Sequence, residues 1–112
     1  MSMDRMQVIQ GRLFTLWRFA AEQAIWSDSV FGTGRRTLGI TAHIRKELAE
    51  IEADPDDVRE WVDVIILAIN GYTRHGGKPE ELAEMLEAKQ RVNFERSWPA
   101  VKPEDQPMEH LK

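Results

Sequence analysis

The sequence predicts an all-α protein, a four-helix bundle protomer that assembles into an oligomer. Three observations carry that expectation. Apolar residues recur at helical spacing in four segments, with almost no strand-like alternation. Glycine, proline and aspartate clusters punctuate the segments. The third segment is apolar on most of its circumference, as a fully buried helix is. In a chain of 112 residues, a second subunit is needed to cover such a helix. The length suits one domain with a modest core, so 1–112 reads as a single helical domain ending in an irregular tail over 99–112.

The first helix is expected from about Asp4 to Trp26, with Met6, Ile9, Leu13, Leu16, Trp17, Ala20 and Ala24 as its apolar stripe. Ser27-Asp28-Ser29 ends that periodicity, and residues 27–39, with Gly32, Gly34, Arg35, Arg36 and Gly39, read as a mobile cationic loop. The second helix spans about Ile40 to Ala53, with Thr41 near its N-cap and Ile44, Leu48 and Ile51 as its core stripe. Asp54-Pro55-Asp56-Asp57 signals a new start, with Asp54 as N-cap and Pro55 at the first helical position. The third helix then runs from about Pro55 to Arg74, and Gly71 and Gly76-Gly77 unwind its end. The fourth begins at Lys78-Pro79-Glu80-Glu81, turns Leu82, Met85, Leu86 and Val92 inward, and stops at Trp98-Pro99.

The balance is that of an ordinary soluble domain, at 30% charged and 42% hydrophobic residues. There is no cysteine, so thiol and disulfide chemistry are excluded and a reducing, cytoplasmic setting is expected. The N-terminus does not read as a signal peptide. The longest apolar run, Val64 to Ile69, is too short to cross a membrane. A net charge of −4 disfavours nucleic acid as a partner while leaving room for a nucleotide held through metal ions.

The chemistry concentrates in two acidic pairs, Glu47-x-x-Glu50 and Glu60-x-x-Asp63. Each i, i+3 spacing sets two carboxylates on one helical face. The pairs are symmetric about position 55. A chain reversal there puts Glu47 level with Asp63 and Glu50 level with Glu60. Two like charges about 4 Å apart repel by roughly 4 kcal/mol at an effective dielectric of 20, and a divalent cation reverses that sign. Solvated surface is the competing account of Glu47 and Glu50. It fits Glu60 and Asp63 poorly, because they sit in a segment that otherwise asks for burial. All-oxygen ligands favour Mg2+, with Mn2+ as its companion. A di-iron centre needs two Glu-x-x-His pairs, and none of His43, His75 and His110 follows a glutamate at that spacing.

Three further groups gain meaning beside such a site. Lys89, Asn93 and Arg96 fall at i, i+4 and i+7, either a solvated stripe or a phosphate-binding one. Trp26 and Phe31 flank the glycine loop, either as packing or as a platform for a base, whereas Trp17 sits on the core stripe and Trp61 belongs to the core or a subunit interface. His43 lies one turn before Glu47, as a surface residue or a donor to substrate.

Taken together, these motifs resemble the all-α nucleoside triphosphate pyrophosphohydrolases, the MazG-like superfamily. The carriers are the paired acidic motifs on consecutive helices and Lys89-x-x-x-Asn93-x-x-Arg96 followed by an aromatic residue and Pro99. Nearly the whole chain resembles a small bacterial and phage branch of the dATP/dGTP pyrophosphohydrolase type. The shared segments are Trp26…Phe31-Gly32, His43-Ile44-Arg45-Lys46-Glu47, Pro55-Asp56-Asp57 and Glu109-His110-Leu111-Lys112. The resemblance implies hydrolysis of a nucleoside triphosphate, with a purine deoxynucleotide favoured, to the monophosphate and pyrophosphate. Glu47, Glu50, Glu60 and Asp63 would hold magnesium, Glu47 or Glu50 would orient the attacking water, and Lys89, Asn93 and Arg96 would contact the nucleotide. Trp26 and Phe31 would hold the base, with Asn93 or His43 adding selectivity. The alternative is a non-catalytic module that senses nucleotides or binds a partner, with the acids as a structural metal site.

Overall fold

A computed structural model describes residues 15–101 and 105–111. Those residues form helices α1 (Leu16–Phe31), α2 (Thr37–Ala53) and α3 (Val58–Arg74), a 3-10 turn at Pro79–Glu81, and α4 (Leu82–Glu95). No strand occurs among the described residues. The chain divides into two compact units between Leu82 and Ala83.

Helix α1 differs from expectation at both ends. Thr15 is extended, at φ −130° and ψ 137°, so the helix does not run unbroken from Asp4, and Asp4 itself lies outside the described residues. At the other end α1 passes through Ser27-Asp28-Ser29 to Phe31. Tertiary partners explain the extension. Ser27 is buried and hydrogen-bonds Asn70 and Arg74, while the Ser29 hydroxyl donates to the Trp26 carbonyl at 2.7 Å. Gly32 at φ 87° then ends the helix, its N–H donating to the Asp28 carbonyl. Ala20 faces inward and forms a small core with Ile69 and Leu82, against which Leu16, Phe19 and Tyr72 pack. Trp17, expected in that core, is 55% exposed.

The loop before α2 is shorter than expected. Arg36, at φ 48°, takes a left-handed conformation, and α2 starts at Thr37. Thr41 is therefore inside the helix and not its cap, with its hydroxyl donating back to the Leu38 carbonyl at 3.2 Å. The Arg36 guanidinium lies over the Phe31 ring, 5.3 Å from its centre. Of the expected α2 core stripe, Ile51 is buried and Leu48 is exposed, whereas Ile40 and Glu47 are buried.

The reversal between α2 and α3 is a four-residue turn. Asp54 closes α2 and does not cap α3: its N–H donates to the Glu50 and Ile51 carbonyls, and its carbonyl accepts from Asp57 N–H at 3.1 Å. Asp57 is the N-cap, accepting from the Arg59 backbone N–H at 3.1 Å and pairing with the Arg59 guanidinium. Hydrogen bonds from the Arg59 side chain and backbone, helped by its charge, hold the Asp57 carboxyl below its ordinary range. Pro55 belongs to the turn, which lays α3 antiparallel against α2.

Within one chain α3 is amphipathic and is not buried all round. Ile69 and Asn70 are buried, while Val58, Trp61, Val62 and Ile65 lie exposed along its outer side. Gly71 does not unwind the helix. It sits inside α3, where a Cβ would make ordinary contact with Ile40 at 3.8 Å. The helix stops at Arg74, and His75 bridges its end, with Nδ1 donating to the Gly71 carbonyl and Nε2 facing the Thr37 hydroxyl at 2.6 Å. At Gly77 there is no room for a side chain, because the Tyr72 ring occupies the space.

Lys78 and Pro79 open the 3-10 turn, which packs on α1 and leads into α4. On α4 only Leu82 is buried; Met85, Leu86 and Val92, expected to face inward, are exposed. In the second unit the Trp98 ring meets His110 edge-on at 6.0 Å, and Leu111 N–H donates to the Ser97 carbonyl at 2.6 Å.

Candidate metal centre and the adjoining cavity

The α2–α3 reversal brings carboxylates from both helices to one place. Glu47, Glu60 and Asp63 each offer an oxygen within 4.8 Å of the other two. Glu47 is buried, Glu60 half-buried and Asp63 exposed, so the cluster runs from the interior to the surface. Glu47 Oε1 and Glu60 Oε2 are buried and have no hydrogen-bond partner. An unpaired buried oxygen is costly, and two of them in an all-carboxylate set are what a hard divalent cation would satisfy. The residues present therefore fit a Mg2+- or Mn2+-type ion.

Glu50 stands differently. It is outside that three-residue cluster and is hydrogen-bonded through its side chain to Glu60. That hydrogen bond is the main reason the Glu60 carboxyl is raised from its ordinary 4.5 to about 7. Burial and the charges of Glu50, Glu47 and Asp57 add to the shift. His43, one turn before Glu47 on α2, has Nε2 at 3.5 Å from Glu47 Oε2.

Beside the acids lies a cavity of about 630 Å³, a volume suited to a small organic ligand. Glu47, Asp63 and His43 contribute to its wall, as do Phe19, Trp26 and Phe31. Trp26 and Phe31 meet edge to face at 5.7 Å. The cavity thus has an acidic part and an aromatic part, both supplied by the first unit.

The wall also holds polar residues that sequence reasoning passed over. Gln23, Ser27 and Asn70 line the cavity, and behind them Arg74, with a side chain only 3% exposed, is donor to a buried network joining α1, α3 and the glycine loop. Its Nε donates to Asn70 Oδ1 at 3.0 Å, one terminal nitrogen to Ser27 Oγ at 2.8 Å, and the other to the Gly34 carbonyl at 2.8 Å. Asp28 lies 3.4 Å away. Asn70 in turn donates to Gln23 Oε1 at 3.1 Å. The signal that could have found them is Asn70-x-x-x-Arg74, two polar residues one turn apart just after the apolar run Val64 to Ile69.

Lys89, Asn93 and Arg96 belong to the second unit. Lys89 is exposed, whereas Asn93 and Arg96 are half-buried. Arg96 Nη1 donates to Asn93 Oδ1 at 3.5 Å, and the Asn93 carbonyl accepts from Trp98 Nε1 at 2.9 Å.

Fold and site together define an all-α protein with a carboxylate cluster suited to a divalent cation beside a ligand-sized cavity. The chain belongs to the dATP/dGTP pyrophosphohydrolase family, whose profile matches residues 19–112. It is a nucleotide pyrophosphohydrolase. It is similar in structure to a MazG-like pyrophosphohydrolase of cyanophage S-2L, seen bound to dGDP and three catalytic Mn2+ ions per active site. That likeness has a TM-score of 0.71 and 29% sequence identity, and covers 89% of this chain and 100% of the phage chain. No curated protein matches the chain. No helix among the described residues is long and apolar enough to cross a membrane.

Proposed function

We propose that this protein hydrolyses dATP and dGTP to the monophosphates and pyrophosphate, with Mg2+ or Mn2+ held by Glu47, Glu60 and Asp63. The observation that carries the reading is the convergence of those three carboxylates, with buried oxygens of Glu47 and Glu60 left unpaired, beside an aromatic cavity that Glu47 and Asp63 help to line. The family match and the nucleotide and Mn2+ of the phage relative support it.

A divalent cation held by Glu47, Glu60 and Asp63 would offset charge on the triphosphate oxygens and make water a better nucleophile. The chain's own residues do the rest. Trp26 and Phe31 wall the cavity that receives the base. Glu50, outside the three-carboxylate cluster and beside Glu60, takes the proton of the attacking water. Water adds at the α-phosphorus, the bond from that phosphorus to the bridging oxygen breaks, and pyrophosphate leaves with the bond's electron pair. His43 orients Glu47 from the neighbouring turn. A second copy of the chain covers the apolar outer side of α3, and the enzyme serves the cytoplasmic nucleotide pool.

The test is pyrophosphate release from a panel of deoxynucleoside and ribonucleoside triphosphates, with Mg2+, with Mn2+ and with EDTA. Release from dATP and dGTP that EDTA abolishes is expected. A folded protein silent across the panel would refute the reading and favour a nucleotide-sensing module.

A further inference from the structure

Amide side chains have two chemically opposite ends, and which end faces a ligand decides what can be read. In this cavity the choice is fixed by a residue that can only donate. Arg74 has no acceptor atom, so the end of Asn70 that meets its Nε at 3.0 Å must be the carbonyl oxygen. The Ser27 hydroxyl, itself accepting from Arg74, donates to the same oxygen at 3.2 Å. The Asn70 NH2 group is thereby set against Gln23, which must answer with its own carbonyl oxygen, at 3.1 Å. One orientation remains for Gln23. Its oxygen is occupied and its NH2 group, on a residue lining the cavity, has no partner among the described residues.

From this relay we infer that Gln23 is a specificity-determining residue that donates a hydrogen bond to N7 of a purine base, with Arg74 and Asn70 as positioning residues that fix its polarity. The inference rests on the reading of the cavity as a deoxynucleotide site. N7 is an acceptor in adenine and guanine alike and is missing from pyrimidines. At position 6 the two purines are opposite, an amino donor in adenine and a carbonyl in guanine, so a fixed donor there would choose between them. At N3 the pyrimidines present an equivalent acceptor, and a donor would not exclude them. A donor locked on N7 is the arrangement that admits both purines and no pyrimidine. Ser27 and Asn70, buried in the cavity wall, and Arg74 behind them make the donor rigid, so reading N7 requires no reordering of the protein.

The experiment compares dGTP with 7-deaza-dGTP and 3-deaza-dGTP by kcat/KM, and the corresponding monophosphates by calorimetric Kd. Wild type should lose about 5- to 10-fold on the 7-deaza compounds in both measurements, the value of one good hydrogen bond, and little on the 3-deaza ones. Gln23→Met, close in shape but without a donor, should bring the parent-to-7-deaza ratio to about one. Arg74→Lys, which keeps the charge and loses the fork, should lower that ratio with Gln23 intact. A purely structural role would weaken parent and analogue equally and leave the ratio unchanged. Equal treatment of dGTP and 7-deaza-dGTP by wild type, or a preference surviving Gln23→Met, or a loss confined to the 3-deaza compounds, would each overturn the inference. Absence of pyrophosphate release would sink the catalytic reading alone, since the monophosphate affinities still report on Gln23. A wild type that binds neither monophosphate would sink this inference as well.

Discussion

Glu50 on α2 and Glu60 on α3 are joined side chain to side chain by a hydrogen bond, and that bond lifts the Glu60 carboxyl to about 7. Two carboxyls share such a bond only when one of them carries the proton. The reversal at Asp54–Asp57 thus sets Glu60 against Glu50, where Glu60 keeps its proton up to about pH 7 when no cation is present.

The pH dependence of metal-free stability follows. Glu60 is raised above its ordinary value, so its contribution is complete below about 4.5 and is lost as pH rises through about 7. In EDTA the melting temperature should therefore fall between pH 5.5 and 8.5, and Glu60→Gln should flatten the fall. Asp57 works in the opposite sense at the acid end. Its carboxyl is depressed, so the stability it adds is present above 3.8 and is lost as pH falls through its folded value.

Cation binding must displace the proton that Glu60 holds below about pH 7. Mn2+ affinity measured by calorimetry should tighten as pH rises from 6 to 8, with proton release that scales with buffer ionisation enthalpy. Affinity independent of pH over that window would contradict the assignment of Glu60 as a ligand.

Removing a ligand charge should separate stability from activity. Asp63→Asn and Glu60→Gln relieve carboxylate repulsion, so the metal-free variants should melt at higher temperature than wild type. Their pyrophosphate release should fall by roughly 100-fold or more, since the cation's contribution is several kcal/mol. Variants less stable than wild type in EDTA would show that the acids are held by something other than a cation.

Arg74 ties three segments together with a side chain almost fully buried. Arg74→Met should cost about 3 kcal/mol in urea unfolding, because Asn70, Ser27 and the Gly34 carbonyl lose their donor at once. A loss well under 1 kcal/mol would mean that water replaces it.

The outer side of α3 predicts assembly. Ile65→Glu places a charge among Val58, Trp61 and Val62, all exposed in one chain. Sedimentation should show wild type as a dimer or larger and the variant shifted to monomer.

The sequence made the carboxylates legible because their spacing is local and the turn between them is short. Helix-period geometry and one reversal at Asp54–Asp57 suffice to set α2 against α3. The helix ends were harder to read, for a physical reason. Ser27, Asp28 and Ser29 have the composition of a stop, yet they stay helical because their partners Asn70 and Arg74 arrive from far along the chain. Asp54 and Asp57 are both good caps by type, and the side-chain bond from Asp57 to the Arg59 N–H decides between them. Of the Gln23–Asn70–Arg74 relay only the Asn70-x-x-x-Arg74 spacing is local; that Gln23 joins it is not, since the two segments meet only after folding. Amphipathic α3 read as buried all round because the sequence counts apolar residues without saying which side the protomer leaves bare.

The most direct test of the central claim is anomalous diffraction from crystals grown with Mn2+ and dGMP. Manganese peaks should lie within coordination distance, about 2.0–2.3 Å, of the carboxylates of Glu47, Glu60 and Asp63. Manganese bound elsewhere, or three carboxylates left without an ion at saturating Mn2+, would contradict it.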